Sequence, residues 1–195
     1  MSEQRDKNLW IFNAGNSFAG NPKWMFEYII RHHKEIKPVW MCYNADTMNY
    51  VHKLGYEAEL YHSSKGKSVM AKAGVYVVEM CKEVFQPELS GITVLNLWHG
   101  VGCKSIERKV TDGFLQERIA KKYIQNNDIL RNNQLFLVTS EIMEKHFKEQ
   151  CGIDDDKVIR AGYPRCVVND NIQSYDHDIR KKKGLSANTK LAIYC

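Results

Sequence analysis

The amino-acid sequence predicts an α/β fold, a Rossmann-like doubly wound parallel sheet. Short apolar runs rich in β-branched residues alternate with stretches of helical periodicity along the 195 residues, which is the order of strands and helices in such sheets. The strand runs are apolar at most positions, as expected where both faces of a sheet are covered. Glycine, asparagine and proline punctuate the runs and indicate the turns between them.

The first half of the chain predicts four strands separated by helices. Residues 9–12 form the first strand, and a glycine-containing loop leads from it to a helix that ends near residue 36. Asn21 is a suitable N-cap for this helix, and Pro22 is a suitable first helical residue. The same alternation predicts strands over 38–43, 56–62 and 74–78, with helices over 45–54 and after residue 63.

The second half continues the alternation. A strand over 92–97 precedes a polar, mostly helical segment, 105–133, which predicts an outer helix pair or one helix and a mobile loop. Ser140 is a suitable N-cap for the helix that follows a strand at 134–139. Later strands are predicted at 157–161 and 191–194.

Composition and charge exclude several classes of protein. The chain is 44% hydrophobic and 26% charged, and no apolar run approaches the roughly 18 residues of a transmembrane helix. Its polar start lacks the apolar core of a signal peptide, so we expect a cytoplasmic protein. The net charge of +5 suits a phosphate-rich or anionic-membrane partner, but no nucleic-acid motif accompanies it.

The six cysteines are scattered and form no close pair, which argues against a disulfide or zinc framework. No histidine, cysteine or carboxylate cluster has metal-ligand spacing. We therefore predict reduced thiols, no metal site and no cofactor.

The stretch 92–104 is the strongest candidate for a site. His99 follows a buried strand directly, and ligands of open α/β sheets bind outside the carboxyl ends of the strands. Gly100 and Gly102 allow the backbone to approach a ligand closely, and Lys104 adds a positive charge. The alternative is a histidine that only caps a turn.

Three blocks in order resemble the CDP-glycerol glycerophosphotransferases of teichoic-acid and capsule-polymer synthesis. Residues 96–104 are similar to the Trp-His-Gly…Lys signature of that family. Residues 17–28 followed by 36–40 resemble its amino-terminal strand, loop, helix and strand, and residues 161–165 resemble its Gly-x-Pro-Arg turn. The chain departs from the family where Val101-Gly102 follow the His-Gly pair and where Cys166 follows the Pro-Arg pair.

The resemblance implies the amino-terminal half of a GT-B architecture, in which two Rossmann-like domains face each other. Residues 1–168 are then the acceptor-side domain, and 169–195 are a linker and the first strand of a truncated nucleotide-binding domain. We expect such a fragment to be inactive alone. The parent would transfer glycerol phosphate, or a related polyol phosphate, from a CDP-glycerol or CDP-polyol donor to a hydroxyl of a lipid-linked or glycan polymer.

The resemblance also implies roles for individual residues. His99 would be the general base, since a histidine with an ordinary pKa suits proton removal at neutral pH. Lys104 and Arg165 would neutralise phosphate charge. The remaining candidates for substrate binding are Gly15, Asn16, Ser17, Asn21 and Gly100.

Two other interpretations stay open. A GT-B glycosyltransferase that uses a sugar nucleotide would also place a histidine and basic groups in its cleft. The second is a non-catalytic fragment that binds acceptor or membrane. A peripheral position at the inner face of the plasma membrane is a separate expectation about location.

Overall fold

A computed structural model describes residues 5–80, 86–102, 104–125 and 133–166, and in the tail residues 180, 183–186, 188–190 and 192. The described strands are β1 (Asp6–Phe12), β2 (Lys37–Cys42), β3 (Ala58–Leu60), β4 (Ala73–Val78), β5 (Thr93–Asn96), β6 (Gln134–Val138) and β7 (Val158–Arg160). The helices are α1 (Gly20–His32), α2 (Ala45–Lys53), α3 (Ser64–Lys72), α4 (Gly113–Gln125) and α5 (Glu141–Cys151).

The described strands form one sheet in the order β3-β2-β1-β4-β5-β6-β7, and every neighbouring pair is parallel. The chain moves outward from β1 to β3 and then returns to the other side of β1 with β4. The order therefore reverses between β1 and β4, and this switch point is where open α/β sheets bind ligands. The predicted Rossmann-like, doubly wound class is confirmed.

An aromatic cluster fixes α1 against the amino-terminal part of the sheet. Phe12 of β1 and Trp40 of β2 are fully buried and stack with ring centroids 6.5 Å apart. Phe26 of α1 meets both rings edge-on, at 5.3 and 5.6 Å. Such pairs add to the free energy gained by burial, so the amino end of α1 is held firmly over the switch point.

Most predicted elements are observed, with shifted boundaries. Ser140 caps α5 as expected, since its Oγ accepts a hydrogen bond from the Met143 N–H at 3.3 Å. The N-cap prediction for Asn21 is wrong, because α1 already begins at Gly20, with Ala19 as its N-cap. The helix also ends earlier than predicted, at His32.

Two predictions fall partly beyond the described ranges. Within 104–125 the polar segment contains a short 3₁₀ turn, Glu107–Lys109, and the single helix α4, while residues 126–132 lie outside the description. The strand expected at 191–194 and the linker before it lie outside the described residues, apart from a few isolated positions.

Candidate active site

The loops after β1, β4, β5 and β7 gather at the carboxyl edge of the sheet, around the amino end of α1. This arrangement follows from the strand order, because β1 and β4 are neighbours at the switch point and β5 lies beside β4. Contacts between α1 and the turn Pro164–Cys166 complete the ring of segments. Residues from four distant parts of the sequence therefore share one site.

His99 lies at the carboxyl edge, three residues after β5 ends. The residue before it, Trp98, has a φ of +51°, in the left-handed region that non-glycine residues seldom adopt. The Trp98 N–H donates to the Asn96 side chain at 3.0 Å. The indole packs on Phe136 and Phe147, and the imidazole of His99 stacks on it at 4.5 Å between centroids. The sharp turn at Trp98 thus sets the direction of His99.

Asn21 links the loop of His99 to the turn of Arg165. Its side chain has 0% exposure. The Nδ2 group donates to the Trp98 carbonyl oxygen at 2.7 Å, and Oδ1 accepts from the Arg165 N–H at 3.3 Å. A residue predicted as a candidate for substrate binding therefore has its amide bonded to protein backbone on both sides.

Glu79, the first residue after β4, was not among the predicted site residues. Its Oε2 accepts a hydrogen bond from the Asn21 N–H at 3.2 Å, so it caps α1 from another strand. Gly20 makes room for this carboxylate, since its φ is +67° and a Cβ there would come within 2.0 Å of Oε2. Glu79 places a carboxylate directly after a strand at the switch point. That position is the signal that sequence reasoning overlooked.

Arg165 and Tyr163 approach the His99 loop from the turn after β7. The Tyr163 hydroxyl donates to the Gly100 carbonyl oxygen at 2.8 Å. The guanidinium of Arg165 lies over the Tyr163 ring, with its Cζ 5.5 Å from the centroid, and its Nη2 would be 3.6 Å from a Cβ at Gly100. The structure therefore places His99, Gly100 and Arg165 close together at the carboxyl edge of the sheet.

The charges in this cluster influence one another. Partial burial lowers the pKa of His99 below its ordinary value, and the positive charge of Arg165 lowers it further. Burial raises the pKa of Glu79, while the Asn21 N–H and Arg165 oppose that rise. A lowered pKa keeps the His99 imidazole neutral at pH 7, and the neutral form is the one that accepts a proton.

The other predicted residues lie further around the edge. Gly15, with a φ of +63°, and Ser17 belong to a tight turn after β1. The Asn16 carbonyl oxygen accepts from the Thr47 hydroxyl at 2.8 Å, so this turn rests on the start of α2. Lys104 is exposed on the His99 loop. Within the described ranges, no three histidine, cysteine or carboxylate side chains are placed to hold a metal ion.

An apolar groove borders the site on the face of the sheet next to α1. It has a volume of about 480 Å³ and is lined mainly by Trp24, Tyr28, Leu95, Leu97 and Leu137, reaching the turn 161–164. His99, Glu79 and Arg165 are not in its lining. The charged cluster at the carboxyl edge, rather than this groove, therefore carries the groups that can do chemistry.

Comparison with solved structures identifies the fold. The chain matches structures titled as the wall teichoic acid polymerase TagF, one from a crystal soaked with CDPG (TM-score 0.73, 20% identity, 97% of this chain and 47% of that one). A variant of TagF gives a TM-score of 0.74 at 18% identity over 95% of this chain and 47% of its own length. The present chain thus spans about half of these solved chains.

Sequence comparison leads to the same group of proteins. The teichoic acid poly(glycerol phosphate) polymerase of Bacillus subtilis (strain 168) is 24% identical over 92% of this chain, which spans 24% of that relative. The model of the family described as CDP-Glycerol:Poly(glycerophosphate) glycerophosphotransferase matches residues 1–195. On that match, which covers the whole sequence and agrees with the fold, the chain belongs to the CDP-glycerol:poly(glycerophosphate) glycerophosphotransferase family.

Proposed function

We propose that this chain is the acceptor-side domain of a transferase that moves glycerol phosphate, or a related polyol phosphate, from a CDP-linked donor to a polymer hydroxyl. The observation that carries the proposal is His99, a histidine with a lowered pKa that lies beside Arg165 at the switch-point edge. Membership of the family supplies the reaction class.

The proposed chemistry assigns each group one task. The neutral imidazole of His99 accepts the proton of the acceptor hydroxyl while the oxygen of that hydroxyl bonds to the β-phosphorus of the donor. The bond from that phosphorus to the bridging oxygen breaks, and CMP leaves with the electron pair. Arg165, and Lys104 from the same loop as His99, balance the negative charge on the phosphoryl oxygens.

The donor nucleotide needs a second domain in this proposal. The chain spans about half the length of the solved relatives, and a transferase of the GT-B type closes two domains around its donor. We propose that residues 1–168 form the acceptor-side half, that 169–195 lead into the nucleotide-binding half, and that the 195 residues alone do not turn over.

A membrane-bound acceptor would explain the surface of α4. Phe114, Leu115 and Ile124 are exposed there, at 73%, 51% and 79%, and Arg118 and Lys121 lie on the same helix. Apolar and basic residues on one helix suit the surface of an anionic bilayer. Within the described residues no helix has the length and apolar character needed to cross a membrane. We propose peripheral contact with the cytoplasmic face of the plasma membrane.

A CMP-release assay tests the proposal. The 195-residue chain, and the same chain joined to the carboxyl-terminal half of a polymerase relative, are incubated with CDP-glycerol and a lipid-linked acceptor. We expect release by the joined protein only. No release of CMP from CDP-glycerol by either protein, together with release of UDP from a UDP-sugar by the joined one, would replace the proposal with a glycosyltransferase.

The role of His99 is tested in the same assay. We expect His99→Ala to lower the rate of the joined protein by about 100- to 10,000-fold, the usual contribution of a general base. His32→Gln, which changes an exposed histidine at the far end of α1, is the matched control and keeps the rate. A His99→Ala protein that retained most of its rate would refute the assignment of the base.

A further inference from the structure

We propose that Asn21 is a positioning residue, which fixes the loop of His99 and the turn of Arg165 relative to each other. The two segments are 66 residues apart in sequence, from His99 to Arg165, and meet at this amide. The proposal deepens the function proposed above and gives that function its geometric basis, but its main test requires no turnover.

The contacts of Asn21 assign it this role. The amide is buried with 0% exposure, and its two polar atoms bond to the Trp98 carbonyl oxygen at 2.7 Å and the Arg165 N–H at 3.3 Å. Its own N–H donates to Glu79. Asn21 thus contacts the segments after β4, β5 and β7 at once. A buried polar group that is fully engaged in this way specifies a single arrangement of its partners.

The conformation of Trp98 makes the link to His99 specific. A left-handed backbone at a bulky residue is strained and persists only where the surroundings hold it. Here Asn96 accepts from the N–H of Trp98, and Asn21 donates to its carbonyl oxygen. Losing the second bond would let the peptide between Trp98 and His99 rotate, which would redirect the imidazole.

The hydrogen bond between Asn21 and the Arg165 N–H also affects the pKa of His99, because it holds the turn that carries the guanidinium. Charged groups on neighbouring segments include Glu79 after β4 and Lys104 on the His99 loop, and His146 of α5 lies against Gly102. Among the described residues, Arg165 from the turn after β7 acts on His99 through its charge, which lowers the pKa of His99. If Asn21 releases the Arg165 backbone, the guanidinium moves and this effect weakens.

The pKa of His99, measured by NMR titration of its ring protons in the 195-residue chain, tests the proposal. His99→Gln assigns the signal. Asn21→Leu keeps the branched shape, the number of side-chain heavy atoms and the neutral charge but removes both side-chain bonds, and Arg165→Gln removes the charge itself. We expect each variant to raise the pKa of His99 toward the ordinary value of about 6.5. The double variant should match Arg165→Gln alone.

A matched control separates positioning from general destabilisation. Asn13 is also buried at the carboxyl edge, but its Nδ2 donates to the Met41 and Gly15 carbonyl oxygens on the other side of the switch point. Asn13→Leu should therefore cost comparable stability and leave the pKa of His99 unchanged. If Asn21→Leu does not fold, Asn21→Ser, which is too short to bridge both partners, takes its place.

Three results would overturn the proposal. They are an unchanged pKa of His99 in folded Asn21→Leu, an equal change in Asn13→Leu, and an undiminished effect of Asn21→Leu in the Arg165→Gln background. In the joined protein we also expect a drop in kcat of about 100-fold, as for a small misplacement of a reacting group, with KM for the donor retained. Turnover that survives His99→Ala would refute the assignment of His99 as the base and leave the NMR result standing.

Discussion

Arg5 and Asn21 occupy comparable positions at opposite edges of the sheet. The guanidinium of Arg5 lies at the amino edge and donates to backbone carbonyls at the end of α3, at the start of β4 and in the turn before β5. Asn21 lies at the carboxyl edge and likewise joins three segments through their backbone or caps. Each is a polar side chain that ties distant segments together.

The difference between them lies in their neighbours. Arg5 uses its donors on carbonyl oxygens, including those of Met70 and Ala71, which have no partner inside the last turn of a helix. Around Asn21, by contrast, lie Glu79 and His99, whose pKa values are shifted. A polar side chain that links distant segments therefore marks a structural junction at either edge, and at the carboxyl edge a glutamate and a histidine with shifted pKa values lie beside it, as they do at sites of chemistry.

Removing the charge of Arg165, which lies beside Asn21, should have the largest effect, and that effect should be on catalysis. We expect Arg165→Gln to lower kcat/KM of the joined protein by about 100-fold, as for loss of one stabilising donor to a developing anion. Because the charge lowers the pKa of His99, its loss raises that pKa, and the acidic limb of the pH–rate profile moves to higher pH.

The control for this variant is Arg160→Gln. Arg160 is a nearby exposed arginine that pairs with Glu144 at 2.7 Å, so its loss should leave the pH–rate profile in place. A profile that moves equally in both variants, or in neither, would contradict the assignment of Arg165.

Removing Arg5 should act on stability instead. We expect Arg5→Ala to lower the free energy of unfolding by about 2 kcal/mol, because carbonyl oxygens, several of them partly buried, lose a charged donor. Urea denaturation measures this. Lys7→Ala, which changes an exposed residue of β1 near Arg5, should change it by less than about 0.5 kcal/mol. An Arg5→Ala protein as stable as the parent would show that the bonds of Arg5 do not stabilise the junction of these segments.

Tyr163→Phe should have the smallest effect. It deletes the hydroxyl that donates to the Gly100 carbonyl oxygen at 2.8 Å and leaves the ring under Arg165. We expect a loss of about 1 kcal/mol in the free energy of unfolding, the usual net worth of one such bond. A change in the pKa of His99 as large as that of Arg165→Gln would show that the hydroxyl, not the guanidinium, controls the imidazole.

The sequence predicts those features of the molecule that depend on local patterns of residues. Apolar runs located the strands, Ser140 was identified as a cap, and His99 was placed at a strand end. The role of Asn21 was not accessible in this way, because an Asn-Pro pair is typical of a helix start. The partners that occupy its amide are 77 and 144 residues away, and no local period records such distances.

Glu79 illustrates a different limit. A glutamate after an apolar run has the ordinary appearance of an exposed loop residue. Only the strand order, with β4 placed beside β1, brings it to the amino end of α1. The requirement for Gly20 has the same origin, since the space that its missing side chain leaves is filled by a residue from another strand.

The separation between Asn21 and Arg165 has a consequence for synthesis of the protein. A nascent chain emerges amino terminus first, so β1 to β4 can pair, and the aromatic cluster around Phe26 can pack, while the ribosome is still adding the rest. His99 becomes available next, yet the turn that carries its guanidinium neighbour follows β7, the last described strand. The imidazole therefore acquires its final electrostatic environment only when folding of the sheet is complete.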